Sequence, residues 1–116
     1  MKKLSYLTDL ACILIFVTIG RRTHEHGLTF KGIVSTAWPF LVGLFLGWAV
    51  LKFTHRDIAE RKSGFVEALL VVAIGMLLRV VAGQGTAFTF ILVALVFLNL
   101  TLVGWRMTFG RFLQIR

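Results

Sequence analysis

Two ionisable residues stand inside otherwise apolar stretches of the chain, and they are the first candidates for chemistry. Asp9 lies in the first apolar stretch and Arg79 in the third. A charged side chain is costly in a hydrocarbon environment, so residues of this kind usually face protein groups and mark a pairing or a functional site. Each of the two therefore needs a partner, either another side chain or a ligand.

Further basic residues occur in the segment from Arg21 to His26, which should lie at the same membrane face as Arg79. The planar guanidinium group suits phosphate and carboxylate groups, which it can bind through two hydrogen bonds. The turn from Gln84 to Thr86 precedes a predicted helix, whose first N–H groups favour anions. The sequence thus predicts an anion-binding site formed by Arg22, His24, Arg79, Gln84 and Thr86.

Two other interpretations of these residues stay open. Arg79 is close enough to the membrane surface to extend its side chain to a lipid phosphate. Gly83 and Gly85 could serve only to reverse the chain, since glycine adopts turn conformations that other residues avoid.

Asp9 should lie near the opposite membrane face from Arg79, too far away to pair with it. Three bases follow apolar stretches on the side of Asp9: Lys52, Arg56 and Arg106. We expect a structural ion pair between Asp9 and one of these, and assign Arg106 to it. Alternatively, desolvation leaves Asp9 partly protonated and makes it part of a proton or cation relay. Glu67, one turn into the third helix, could join either arrangement.

The sequence gives little support for a metal site, a haem site or a disulfide bond. His24 and His26 are two residues apart, which suits neither one helix face nor a helical zinc site. The predicted helices contain no histidine, and Cys12 is the single cysteine. We therefore expect no metal and no cofactor. We also expect no enzyme activity, because the sequence places no serine with a histidine and no two acids together.

The elements that must position these residues are four apolar stretches, each long enough to cross a bilayer core of about 30 Å. The chain has no charged side chain from Gly32 to Leu51 or from Val80 to Trp105. The predicted helices span residues 4–20, 35–53, 64–82 and 86–106. They predict an all-α protein with a single four-helix transmembrane domain, residues 1–116, arranged as two hairpins.

Charge distribution predicts the orientation. An even number of crossings puts both termini on one side, together with nine of the thirteen Lys and Arg residues: Lys2, Lys3, Lys52, Arg56, Arg61, Lys62, Arg106, Arg111 and Arg116. The positive-inside rule makes that side cytoplasmic, so we expect a multi-pass protein of the inner membrane. Trp48 and Trp105 fall near its surface, as in an interfacial aromatic belt. The basic segment after Gly20 then faces outward, against the usual bias.

Small residues at helical spacing predict where helices touch. Such residues form a stripe along one face of a helix. Gly43, Gly47 and Gly75 lie on stripes of this kind, and glycine allows two backbones to approach closely. These stripes favour a homo-oligomer or a larger membrane complex, surrounded by lipid. The net charge of +8 does not indicate nucleic-acid binding, because the basic residues sit at helix ends and form no continuous patch.

Several residues and short motifs also occur together along the chain: Asp9, Phe16, Gly20-Arg21-Arg22-Thr23-His24, Ala37-Trp38-Pro39-Phe40-Leu41-Val42-Gly43, Gly75-Met76-Leu77-Leu78-Arg79, Gly85-Thr86-Ala87 and Gly104-Trp105-Arg106. In this combination the chain resembles the domain-of-unknown-function family 3054, over about residues 9 to 106. The resemblance implies a small prokaryotic membrane protein of four helices. It implies no ligand or catalytic role for any residue.

Two hypotheses about function follow. In the first, the protein binds an anionic solute or lipid headgroup at its outer face and passes it, or a coupled ion, across the membrane. In the second, it is a non-catalytic accessory subunit of a larger membrane complex.

Overall fold

A computed structural model describes residues 2–23, 29–108 and 110, with the side chains of residues 2, 22 and 23 outside the description. It contains four α-helices: α1 (Lys2–Thr23), α2 (Phe30–Phe53), α3 (Arg61–Val81) and α4 (Phe88–Met107). Each is long and apolar enough to span a membrane, and no strand occurs in the described residues. The predicted all-α, four-helix transmembrane class is confirmed.

Helix boundaries differ from the apolar stretches that predicted them. The largest difference is in α2, which begins at Phe30 and not at residue 35. The reason is an N-cap: the hydroxyl of Thr29 accepts a hydrogen bond from the N–H of Gly32 at 3.0 Å. A capped helix can begin before its apolar stretch does, because backbone hydrogen bonds and not hydropathy define its ends.

The four helices form a bundle in which each helix packs against two neighbours. Helix α2 contacts α1 and α3, and α4 contacts α3 and α1, so α1 and α3 lie on one diagonal. We call the end where α1 begins and α4 ends the terminal end, and the opposite end the distal end. Asp9 and Arg106 are near the terminal end, and Arg79 is near the distal end.

Glycines allow a close contact between α2 and α3. A Cβ atom on Gly43 would lie 2.9 Å from Cα of Val71, and one on Gly75 would lie 2.6 Å from the ring of Phe40. One on Gly47 would meet the carboxyl of Glu67 at 2.6 Å. The predicted packing glycines thus serve contacts within this chain. Their stripes are covered, and they do not offer a free face to another subunit.

A layer of phenylalanine rings fills the middle of the bundle. Phe16 of α1 lies edge-on to Phe40 at 5.4 Å, stacks with Phe90 at 5.9 Å and contacts Phe97 at 5.6 Å, measured between ring centroids. Seven residues, or about 10 Å of helix, separate Phe16 from Asp9. This layer therefore divides the polar groups of the terminal end from those of the distal end.

Candidate functional site

A cavity of about 440 Å³ lies at the distal end, where all four helices contribute residues or adjoining turns. Phe16 and Phe90 form an apolar part of its wall, while Arg21, Arg79 and Thr36 supply polar groups. The described residues that line it include no acidic side chain. Two guanidinium groups, from Arg21 and Arg79, thus contribute to one cavity.

Among the described residues, the groups that hold Arg79 in this cavity are neutral. Its Nε donates to the carbonyl of Gly85 at 2.8 Å, and its Nη1 donates to Oε1 of Gln84 at 2.9 Å. The guanidinium carbon also lies 4.9 Å from the centre of the Phe90 ring, within the range of a cation–π contact. Nη2 has no acceptor among the described residues, so it retains donors for a ligand.

The turn between α3 and α4 differs from its predicted role. The N–H of Gln84 donates to the carbonyl of Arg79 at 2.7 Å and is not available to an anion. Helix α4 begins only at Phe88, so Thr86 is not at its first turn, and Thr86 does not line the cavity. Of the three N–H groups predicted to bind an anion, that of Gln84 is thus already engaged, while the role of those of Gly85 and Thr86 stays a prediction. Gln84 instead positions Arg79 and ties the turn to α2, through a bond from its Nε2 to the carbonyl of Ser35 at 3.2 Å.

Arg21, which the sequence analysis did not select, reaches the site. Its Nη1 donates to the hydroxyl of Thr36 at 2.8 Å, and its guanidinium crosses α2 at Gly32, where a Cβ atom would collide with it. The side chain of Arg22 and the whole of His24 lie outside the described residues. The sequence did contain a signal for Arg21. It follows Ile13 and Val17 at intervals of four residues, so it lies on the same inward face of α1 as these two buried residues.

At the terminal end, Asp9 pairs with Arg106, the base assigned to it. The pair is bidentate, with Nη1 to Oδ1 and Nη2 to Oδ2 both at 2.8 Å, and both side chains are fully buried. Lys52 and Arg56, the other two predicted partners, are exposed. A fork of this kind gives two charge-assisted hydrogen bonds in one fixed geometry.

Two tryptophans complete the hydrogen bonding of Asp9. Nε1 of Trp48 donates to Oδ2 at 3.0 Å, and Nε1 of Trp105 donates to Oδ1 at 2.9 Å. Each carboxylate oxygen thus accepts two hydrogen bonds. Sequence reasoning placed both rings in an interfacial belt, because the position of a tryptophan near a helix end does not reveal which way its N–H points. Arg106 is also satisfied, since its Nε donates to the carbonyl of Ile58 at 2.7 Å.

Glu67 is a second buried acid near this pair, and its surroundings are different. Its side chain is completely buried, and neither carboxyl oxygen has a hydrogen-bond partner in the part of the chain that the structure describes. It packs against Gly47 of α2, where the lack of a Cβ atom leaves room for the carboxyl. The sequence could place Glu67 close to Asp9 but not reveal that it stays outside the hydrogen-bond network.

No cluster of three or more metal-ligating side chains occurs among the residues that the structure describes. Cys12 is a buried free thiol on α1. The chemistry that the described residues offer is therefore anion binding by arginine at the distal end and proton exchange by a carboxyl group near the terminal end.

Comparison with known proteins identifies a family and no characterised relative. No curated protein and no solved structure matches the chain significantly. The model of DUF3054, a family described as proteins of unknown function, matches residues 6–109. That match covers α2, α3, α4 and all but the first four residues of α1, with both arginine sites and the predicted packing glycines, and the chain belongs to the DUF3054 family.

Proposed function

We propose that this membrane protein binds an anionic solute or lipid headgroup, bearing phosphate or carboxylate, in the cavity at the distal end. One observation carries the proposal: two guanidinium groups, from Arg21 and Arg79, line a single cavity whose described lining contains no acid. An arginine charge in a half-buried site favours an anionic partner, and the fork geometry suits an oxyanion.

The contacts of Arg79 are consistent with a site prepared for such a ligand. Gln84 and Gly85 fix the guanidinium from one edge and leave Nη2 unpartnered. The ring of Phe90 supports one face of the group. A fixed guanidinium loses less conformational freedom on binding than a mobile one, which favours affinity.

The size and the wall of the cavity suit a small amphipathic ligand. Its volume of about 440 Å³ falls within the range of small-molecule sites, roughly 300 to 1,000 Å³. Phe16, Val17 and Phe90 would contact an apolar portion, while the arginines hold the anionic group. A lipid headgroup with the start of its acyl chains and a free organic anion both meet this description.

The binding test compares three variants in detergent by thermal shift, with inorganic phosphate and a short-chain phosphatidic acid as probes. Arg79→Gln should abolish the stabilisation that the wild type shows. Arg79→Lys should weaken it, because lysine keeps the charge but loses the fork. Arg56→Gln, at an exposed arginine of the terminal end, is the matched control and should bind as the wild type does.

Stabilisation by phosphatidic acid alone would identify a lipid site, and stabilisation by both probes would identify a site for soluble anions as well. Equal stabilisation of the wild type and Arg79→Gln by every probe would reject the proposal. Equal stabilisation of the wild type and Arg79→Lys would show that the ligand is not recognised through two parallel hydrogen bonds from the guanidinium group.

We further propose that the cavity faces away from the cytoplasm, in an inner membrane, on the basis of the positive-inside rule. Single cysteines introduced by His26→Cys and Arg61→Cys in a Cys12→Ser background provide the test. An impermeant thiol reagent added to intact cells should label the first and not the second. Labelling of the second variant from outside would reverse the orientation.

A further inference from the structure

The two buried acids of the bundle differ in one respect that has consequences for protons. Asp9 accepts four hydrogen bonds and pairs with Arg106. Glu67 is as deeply buried, yet both of its carboxyl oxygens lack any hydrogen-bond partner. The arrangement around Glu67 is therefore not that of a stabilised carboxylate.

Physical chemistry favours the neutral acid at Glu67. An ionised carboxylate without hydrogen bonds is far more costly to bury than the corresponding carboxylic acid, and a group in this position takes up a proton to remove its charge. The neighbours do not change this result. From α2 the neighbour is the uncharged Gly47, from α1 it is the negative Asp9, and from α4 it is Arg106, whose charge Asp9 already neutralises.

Arg106 is nevertheless within reach of Glu67. Its side chain crosses α3 at Gly64, where a Cβ atom would lie 3.0 Å from Cδ of the arginine. Glu67 is three residues further along α3, a spacing that places two residues on the same helix face. Arg106 and Glu67 therefore meet the same face of α3, which makes Glu67 the alternative carboxylate for this guanidinium.

We propose that Glu67 is a proton-binding site of the bundle, and that its carboxylate, once the proton has left, competes with Asp9 for Arg106. In this proposal the arrangement seen in the structure, with Asp9 paired to Arg106, is the one in which Glu67 carries its proton. On release, the proton passes from a carboxyl oxygen of Glu67 to water at the terminal end. The start of α3 lies at that end, about 9 Å along the helix from Glu67. Rebinding of a proton restores the Asp9–Arg106 pair. The inference does not depend on the distal cavity.

Infrared spectroscopy tests the protonation directly, in protein purified in detergent. The chain has only five acidic residues, so the carbonyl stretch of an un-ionised carboxylic acid is a simple signal. We expect this band in the wild type at neutral pH and its loss as the pH rises. The band should be absent from Glu67→Gln and present in Glu60→Gln, the same change at the N-cap of α3.

The competition for Arg106 has its own measurement, since Trp48 and Trp105 both donate to Asp9. The emission of these tryptophans should change with pH in the wild type, with the same midpoint as the infrared band. It should be independent of pH over that range in Glu67→Gln.

Absence of the band from the wild type at neutral pH, or its persistence in Glu67→Gln, would overturn the proton site. Persistence of the infrared band up to the pH at which the protein unfolds would show that Glu67 does not release its proton in the folded state. An unaltered pH dependence of emission in Glu67→Gln would overturn the competition with Asp9.

Discussion

Arg106 and Arg79 occupy equivalent places in their helices and have opposite surroundings. Each is a basic residue in the last turn of an apolar helix, α4 and α3 respectively. Arg106 is fully buried and forms a bidentate pair with Asp9. Arg79 is half-buried, and its hydrogen-bond acceptors are a neutral amide and a backbone carbonyl.

This difference separates a structural charge from one that is available to a ligand. The charge of Arg106 is neutralised inside the fold, so removing either partner leaves the other buried and uncompensated. No carboxylate among the described residues neutralises Arg79, and its site opens into a cavity. The same residue type in the same helical position is thus neutralised by a carboxylate at one end and held by neutral groups at the other, where we propose that it binds a ligand.

The largest expected effect is on the stability of the terminal end. Asp9→Asn leaves Arg106 buried without its counter-charge and should reduce the free energy of unfolding by about 3 to 5 kcal/mol. The double variant Asp9→Asn/Arg106→Gln should recover part of that loss, since no buried charge remains. Thermal unfolding in detergent, followed by tryptophan fluorescence, measures both variants.

Arg79→Gln is the matched change at the distal end. It should cost only about 2 kcal/mol, the net worth of its two hydrogen bonds to Gly85 and Gln84. If Arg79→Gln lowers the free energy of unfolding as much as Asp9→Asn does, Arg79 is also structural. If the double variant Asp9→Asn/Arg106→Gln is no more stable than Asp9→Asn, the uncompensated charge of Arg106 is not the cause of the loss.

An intermediate effect is expected from glycines near the two ends. Gly64→Ala would place Cβ 3.0 Å from Cα of Val103 and from the carbonyl of Leu102, so α3 and α4 must separate. Overpacking of this kind costs roughly 1 to 3 kcal/mol.

Gly20→Ala is the control for this change, because a Cβ atom there would meet nothing within 4 Å. Alanine has the higher helix propensity, so the melting temperature should stay the same or rise. Equal destabilisation by the two changes would mean that packing at the terminal end is no tighter than at the distal end.

The smallest expected effect is a dependence of anion binding on pH. The sequence predicts that His24 contributes to the distal site, although this residue is outside the described ranges. Protonation of a histidine adds positive charge below a pKa of about 6.5, so binding should strengthen a few-fold as the pH falls through that value. Thermal shift with sulfate, whose charge is constant in this range, measures the effect.

His24→Ala should remove the pH dependence. The control is His55→Asn at the terminal end, chosen because His55 has a φ of 57°, a conformation that asparagine tolerates. Binding in the wild type that is independent of pH would exclude His24 from the site, and loss of the dependence in His55→Asn would place its origin elsewhere.

The sequence by itself determined the architecture of this protein. Four apolar stretches bounded by charged residues allow only helices that span a membrane, because backbone groups in lipid must be satisfied within the segment. Helical periodicity also identified the glycines of the α2–α3 contact, and the rise of a helix separated Asp9 from Arg79. These are local properties of the chain, so they follow from spacing alone.

Only the tertiary structure decided which side chains meet. Spacing along the sequence left Asp9 with three candidate bases, and the fold selected Arg106 because its side chain turns into the bundle while those of Lys52 and Arg56 are exposed. The inward N–H groups of Trp48 and Trp105 and the isolation of Glu67 depend on side-chain directions between helices. Hydrogen bonds between distant segments follow from three-dimensional packing, which the periodicity of a single helix does not contain.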